Sequence, residues 1–298
     1  MKDVGVLLIG YSRPDFLQNR VLEIKGTKVI NLYICIDGGR ESKTAEMEKF
    51  KALAKTELTT IPNLIISHES QNLGLVRHIT SKISYVLQKH QYIIVIEDDV
   101  KISSSFIFNM LQGLNYFSNK GVLGVVSGWS PIVSRKLKNK WRISKYQYIW
   151  GWSTSREVWD NYKYDLSAIN FERNLKSSKK WNKLNRFQKK NWLEKFKKIK
   201  RSPLHTWDIQ FYYHCLLKEV CFLSPLFSLS GNEGFNDSRA VHTKGKVPRL
   251  INNYKLSNKN ISTTSFFLSK IIYILDKVFY NDIILFAKAR ILLNKFKN

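Results

Sequence analysis

The stretch that most constrains this chain is Tyr92-Ile-Ile-Val-Ile-Glu-Asp-Asp-Val100, an apolar run closed by three consecutive carboxylates. Ile and Val in an unbroken run read as a strand buried on both faces, the state of a strand in a parallel sheet covered by helices. Ligands in open α/β sheets collect at the carboxyl ends of such strands. Glu97, Asp98 and Asp99 fall there. Three adjacent carboxylates repel one another, and a hard divalent cation, Mg2+ or Mn2+, would relieve the repulsion; such ions commonly arrive with a phosphorylated substrate. An acidic cluster is otherwise a solvated turn, so the flanking sequence has to decide.

Strand and helix patterns alternate through the flank. Residues 4–9 predict a first strand, and Gly10-Tyr-Ser-Arg-Pro14 predicts a strand-to-helix turn with Pro14 at the first helical position, the helix running to about Lys25. Residues 29–36 form a second apolar strand, closed by Asp37-Gly38-Gly39, and a polar helix over 42–55 leads to a short strand over 64–67. Asn72-Leu-Gly-Leu-Val-Arg77 opens an amphipathic helix with Leu75, Ile79, Ile83, Val86 and Leu87 at helical spacing. This alternation predicts an α/β fold, a Rossmann-like, doubly wound and mostly parallel sheet with flanking helices and right-handed crossovers. Asp37 and the three acids then share one sheet edge with the turn at 10–13. That edge offers a carboxylate for a ribose or base at Asp37, a cation for phosphate at Arg77, and a metal position on the acids.

Downstream the texture changes. A helix is predicted over 106–117 and a strand over 122–127, after which Tyr146-Gln-Tyr-Ile-Trp-Gly-Trp152 gathers aromatic rings around Gly151. Sugar rings present apolar C–H faces that pack on such surfaces, and core packing would use the same residues. Residues 173–201 hold 13 Lys and Arg against Glu194 alone, with Trp181, Phe187, Trp192 and Phe196 between them, and predict a basic helical insertion. Thr206-Trp-Asp208 starts a helix, short strands are expected near Cys221 and Phe227, and a Gly/Asn/Asp-rich loop over 231–245 carries His242. Residues 265–298 have the pattern of an amphipathic helix that is basic on one side. The chain thus divides into a main unit over 1–245, with halves 1–100 and 101–245, and a linker and C-terminal helix over 246–298.

A formal net charge of +26, from 49 Lys and Arg against 23 Asp and Glu, predicts anionic company: nucleic acid, a membrane surface or phosphorylated substrates. Cys35, Cys215 and Cys221 are odd in number and lack zinc-like spacing, so they read as free thiols in a reducing compartment. The first apolar run is too short for a signal peptide, and no run of about 18 apolar residues marks a spanning helix. The expected location is cytoplasmic, against the inner face of the cell membrane. There the C-terminal helix would lie on anionic lipid, on the body of the protein or on a second copy.

Over roughly residues 3–245 the ordered motifs resemble the GT-A-fold nucleotide-sugar glycosyltransferases, bacterial family-2-type enzymes above all, with local similarity to the N-acetylglucosaminyltransferase I type. Gly10-Tyr-Ser-Arg-Pro14 is similar to the family's opening loop, and Asn72-Leu-Gly-Leu-Val-Arg77 to the segment that helps hold the nucleotide diphosphate. Glu97-Asp98-Asp99 resembles the D-x-D-type metal motif. Trp150-Gly151-Trp152 and Thr206-Trp-Asp208 resemble the acceptor-side aromatic segment and the helix start that bears the catalytic base. The resemblance implies a UDP-sugar or related donor, a glycan or lipid-linked acceptor in surface polysaccharide synthesis such as capsule or O-antigen, and a Mn2+ or Mg2+ cofactor. It implies Asp208 as general base, and Asp99 with His242 at the metal. The remaining binding residues it implies are Gly10, Tyr11, Arg13, Asp37, Asn72, Gly74, Arg77, Glu97 and Asp98 on the donor side and Trp150, Gly151 and Trp152 on the acceptor side. Asp160 and Asp237 are the alternative acids. Two other readings stand beside this one. A sugar-phosphate nucleotidyltransferase would use a similar sheet, but a Gly-rich basic signature after the first strand is missing. A nucleic-acid-binding protein would use the basic, aromatic segment at 173–201, although the acid edge of the sheet argues against nucleic acid.

Overall fold

The computed structural model describes residues 3–39, 44–130, 140–237, 239, 256 and 258. His242 and the predicted C-terminal helix lie outside them. The first hundred residues build four parallel strands, β1 (Val4–Gly10), β2 (Asn31–Ile36), β3 (Asn63–His68) and β4 (Tyr92–Glu97), joined by α1 (Pro14–Ile24), α2 (Ala45–Glu57) and α3 (Leu75–Lys89). Alternation along β1 divides the core between the two sheet faces. Val6 and Leu8 pack with α1, α2 and α4 (Phe106–Asn119), while Leu7 and Ile9 pack with α3 and later helices. Burial on both faces accounts for the unbroken Ile/Val runs.

The second half makes the sheet mixed. It adds β6 (Gly124–Ser127), β7 (Trp141–Ser144), β8 (Trp152–Ser155) and β9 (Cys221–Pro225), giving the order β3-β2-β1-β4-β8-β6-β9-β7. β8 runs antiparallel to both neighbours, β4 and β6. It carries almost no apolar signal after its first residue, although Ser153 and Thr154 are fully buried; the Ser153 hydroxyl points to the Met110 sulfur of α4 at 3.8 Å. The Thr154 hydroxyl donates to the Gly124 carbonyl at 2.9 Å. A short β5 (Val100–Ile102) leaves the main sheet and pairs with β10 (Ser230–Asn232). These reversals place sequence-distant loops beside the end of β4.

Residues 173–201 are a wall of the core. After α5 (Arg156–Trp159) come α6 (Phe171–Leu175), α7 (Lys179–Asn182) and α8 (Arg186–Arg201), and α8 buries Gln188, Trp192, Phe196 and Ile199. Trp192 stacks on Tyr212 of α9 (Asp208–Leu217), ring centroids 4.0 Å apart. Asn185 and Gln188 close the start of α8 with a reciprocal capping box. Among the described residues no helix is long and apolar enough to cross a membrane.

Candidate active site

β4 ends at Glu97, and the chain turns through Asp98 and Asp99 into β5. Pairing of Asn232 with Val100 carries the segment after β10 onto this turn. Asn232 Nδ2 donates to Asp99 Oδ1 at 3.3 Å, and the Glu233 N–H donates to the Asp99 carbonyl at 2.8 Å. Gly234 approaches so closely that a Cβ would lie 2.5 Å from Asp99 Oδ2, so a side chain there would displace the carboxylate.

Two arginines from α1 and its leading turn support the acids. Arg13 donates from Nη2 to Asp98 Oδ1 and, at 3.2 Å each, from Nε to Asp98 Oδ2 and from Nη2 to Asp99 Oδ2. Its guanidinium rests on Phe16, 5.1 Å from the ring centroid. Arg20 is 1% exposed; it donates to the Asp98 carbonyl at 3.3 Å, to Glu23 at 2.8 Å and to Glu233 at 3.1 Å. Glu23 in turn accepts the Ile102 N–H at 2.9 Å, fixing α1 to β5. Sequence reasoning missed Arg20. The signal was its place in the stripe Leu17, Arg20, Val21, Ile24, since a cation inside a buried apolar stripe requires partners.

Burial pushes the Glu97 carboxyl well above the ordinary carboxylate range, and the neighbouring charges of Asp99, Asp98 and Asp208 push it further, with Arg13 opposing. Burial also raises Asp98, to about 6, against the pull of Arg13. The corner therefore holds two carboxyls that both titrate above their ordinary range, Glu97 the more strongly raised. Among the described residues no three His, Cys, Asp or Glu side chains converge as a metal cage. Mg2+-type sites rarely have one; one or two carboxylates plus substrate phosphates suffice. The donors here are hard oxygens, and Asp99, with its side chain 15% exposed against 5% for Asp98, is the more outward of the two aspartates. That donor set fits a divalent ion carried in with a phosphorylated ligand.

Asp208 opens α9, where its charge suits the helix dipole. The Thr206 hydroxyl donates to Asp208 Oδ1, Gln147 Nε2 donates to the Asp208 carbonyl at 2.7 Å, and the Tyr162 hydroxyl donates to the Trp207 carbonyl at 2.9 Å. The charge of Asp208 contributes to the raised pKa of Glu97, which sets the start of α9 near the acid corner. Lys195 of α8, whose ammonium lies 4.4 Å from the Trp192 ring centroid, also feels Asp208; burial lowers its pKa and Asp208 opposes that. Of the alternative acids, Asp160 is exposed at the end of α5, and Asp237 is taken by Arg239.

The other predicted residues divide into loop-shaping and outward groups. Asp37 is 4% exposed and accepts the Gly38 and Leu73 N–H groups at 2.9 Å on Oδ1 and the Gly74 N–H at 3.1 Å on Oδ2. Its carboxylate is thus committed to the 72–74 loop, a correction to the expected ribose or base contact. Asn72 accepts the Gly74 N–H at 2.7 Å and donates to the Tyr11 hydroxyl at 3.1 Å, joining the two loops. Gly74 takes φ +78°, a left-handed value that favours glycine, and leads into α3. Arg77 in the first turn of α3 is exposed. Gly10 is buried, and a Cβ there would strike Leu17 at 2.6 Å, so the glycine lets α1 pack closely on the end of β1. Trp152 also requires correction. It is fully buried, 5.6 Å from Trp207 and 5.1 Å from Phe211 between ring centroids, and is core. Gly151, at φ +70°, is buried with it, which leaves half-buried Trp150, edge-on to Trp129 and Phe235, as the ring available to a ligand.

Arg239 fastens the chain beyond β10 to α1, donating to Asp15 at 2.8 and 2.9 Å and to Asp237 at 2.6 Å. Hydrogen bonds from Arg239 hold both carboxyls below their usual range. A lowered carboxyl stabilises the fold above its unfolded-state pKa and loses that contribution as pH falls through the folded value. Arg239 and Asp15 are 45% and 54% exposed, so solvent screening limits the effect. Arg239→Ala is expected to lower Tm by about 1–3 °C at pH 7. Melts repeated toward pH 2 should show the gap closing.

No protein-family model matches this sequence, and no curated protein is significantly similar to it. Solved structures align over parts of the chain. Glucosyl-3-phosphoglycerate synthase from Mycobacterium tuberculosis is 10% identical, with TM-score 0.36, over 53% of this chain and 58% of that one. UDP-glucose pyrophosphorylase is 11% identical, with TM-score 0.36, over 76% and 91%. Mannose-1-phosphate geranyltransferase from Thermus thermophilus is 9% identical, with TM-score 0.34, over 76% and 74%.

Proposed function

We propose that this protein is a metal-dependent, inverting glycosyltransferase that moves a sugar from a nucleotide diphosphate donor to a hydroxyl of a glycan or lipid-linked acceptor. The supporting observation is the approach of Asp208, at the head of α9, to the acid corner at the end of β4. A single displacement needs a proton acceptor on one side of the anomeric carbon and a stabilised leaving group on the other.

Asp208 accepts the proton of the attacking acceptor hydroxyl as that oxygen bonds to the anomeric carbon and the bond to the diphosphate breaks. The Thr206 hydroxyl fixes the direction of the carboxylate. Glu97, whose carboxyl is raised by burial and by the neighbouring acids, faces the donor sugar. Exposed Arg77 takes a phosphate oxygen, and Arg13 spreads charge across the aspartates. The exposed part of Trp150 covers a C–H face of a sugar. Asp99 would hold Mn2+ or Mg2+, which when bound neutralises the departing diphosphate.

The test is a panel of nucleotide sugars screened for Mn2+-dependent thermal stabilisation, followed by product analysis of the best binder. Release of nucleoside diphosphate together with a glycosylated or hydrolysed sugar is expected. Pyrophosphate release from a nucleoside triphosphate and a sugar phosphate would instead make the protein a nucleotidyltransferase.

A further inference from the structure

The outward side of α8 carries chemistry that the candidate active site does not use. Residues 173–201 contain 13 of the chain's 49 Lys and Arg but one of its 23 acids besides Glu172 at their edge. These cations are not needed to form the helix, which is capped at Asn185 and anchored by its buried side. Arg186, Lys189, Lys190 and Lys197 line a shallow groove of about 500 Å³ with Leu193 and Glu194. Beside them stands Phe187, at 61% the most exposed large apolar side chain among the described residues.

Aromatics interleaved with lysines, read in sequence, suit a single-stranded nucleic acid, because successive bases need successive rings. The fold removes that option. Trp181, Trp192 and Phe196 are 6%, 4% and 0% exposed and belong to the core. What remains is one protruding ring in a field of cations, an arrangement complementary to a bilayer surface, where the ring enters the headgroup layer and the cations meet lipid phosphates.

We propose that α8 docks this protein on an anionic lipid bilayer, with Phe187 as the inserted side chain and Arg186, Lys189, Lys190 and Lys197 as the phosphate contacts. This inference stands independently of the transfer reaction.

The test is co-sedimentation of the full chain with vesicles of phosphatidylcholine, with or without phosphatidylglycerol. Wild type is expected to bind only the anionic vesicles, with affinity falling as salt rises. The triple variant Lys189→Gln, Lys190→Gln, Lys197→Gln is expected to lose about 10²-fold in partitioning, and Phe187→Ser about 5-fold. Both variants should keep the wild-type Tm, because the altered side chains lie outside the core. Unchanged vesicle binding by both variants would overturn the proposal. So would displacement from the vesicles by millimolar inorganic phosphate, which would mark a free-phosphate site. Vesicle-independent binding of a mixed-sequence RNA oligonucleotide, lost in the triple variant, would overturn it in favour of nucleic acid.

Discussion

Asp208→Asn is expected to bind the nucleotide sugar with wild-type affinity and to transfer the sugar about 10³-fold more slowly. The amide has nearly the shape of the carboxylate and still accepts the Thr206 hydroxyl bond. What it loses is the capacity to take a proton. Binding by titration and single-turnover kinetics separate the two quantities. A second readout follows from the neighbourhood. The charge of Asp208 helps to raise Glu97, so in the variant the titration of Glu97 should move to lower pH. If Asp208 serves only as a dipole partner of α9, the variant loses at most about 0.3–1 kcal/mol of stability and turns over normally.

The first hundred residues are legible because every strand there except the edge strand β3 is buried on both faces and writes an unbroken apolar run. β8 is not legible. Its Ser153 and Thr154 are buried polar residues inside a sheet, a choice that looks like a loop in sequence. The same reversal turns Trp152 inward, so one of two tryptophans read as ligand-facing is core. The acids at the end of β4 were visible as a cluster, whereas their partners were not. Arg20 and Glu233 lie 213 positions apart and meet only because β10 pairs with β5. Lys195 was indistinguishable from its neighbours in a basic run, and only the packing of α8 beside α9 brings it under the influence of the Asp208 charge. Asp37 shows a further limit. A carboxylate after a strand is easily read as a ligand contact, and here its own loop and the 72–74 loop supply three N–H donors that claim it.

Arg13→Ala is expected to cost about 3 kcal/mol of folding stability without metal, because it leaves a buried acid pair with no cation. The side chains of Asp98 and Asp99 are 5% and 15% exposed, and Arg13 contacts both. Arg20 does not replace it, since its bond in this turn goes to the Asp98 carbonyl and its other bonds to Glu23 and Glu233. Asp98→Asn in the same chain should recover much of the loss, as an amide carries no charge to compensate. Mn2+ should do so by another route. If the corner is the seat of a divalent ion, removing the competing guanidinium exposes the aspartates to it. Mn2+ should then raise the Tm of the variant more than that of wild type, with no nucleotide present. Equal Mn2+ shifts in the two chains would mean that Asp98 and Asp99 exist to hold α1 through Arg13, and the proposed metal role of Asp99 would have to be abandoned.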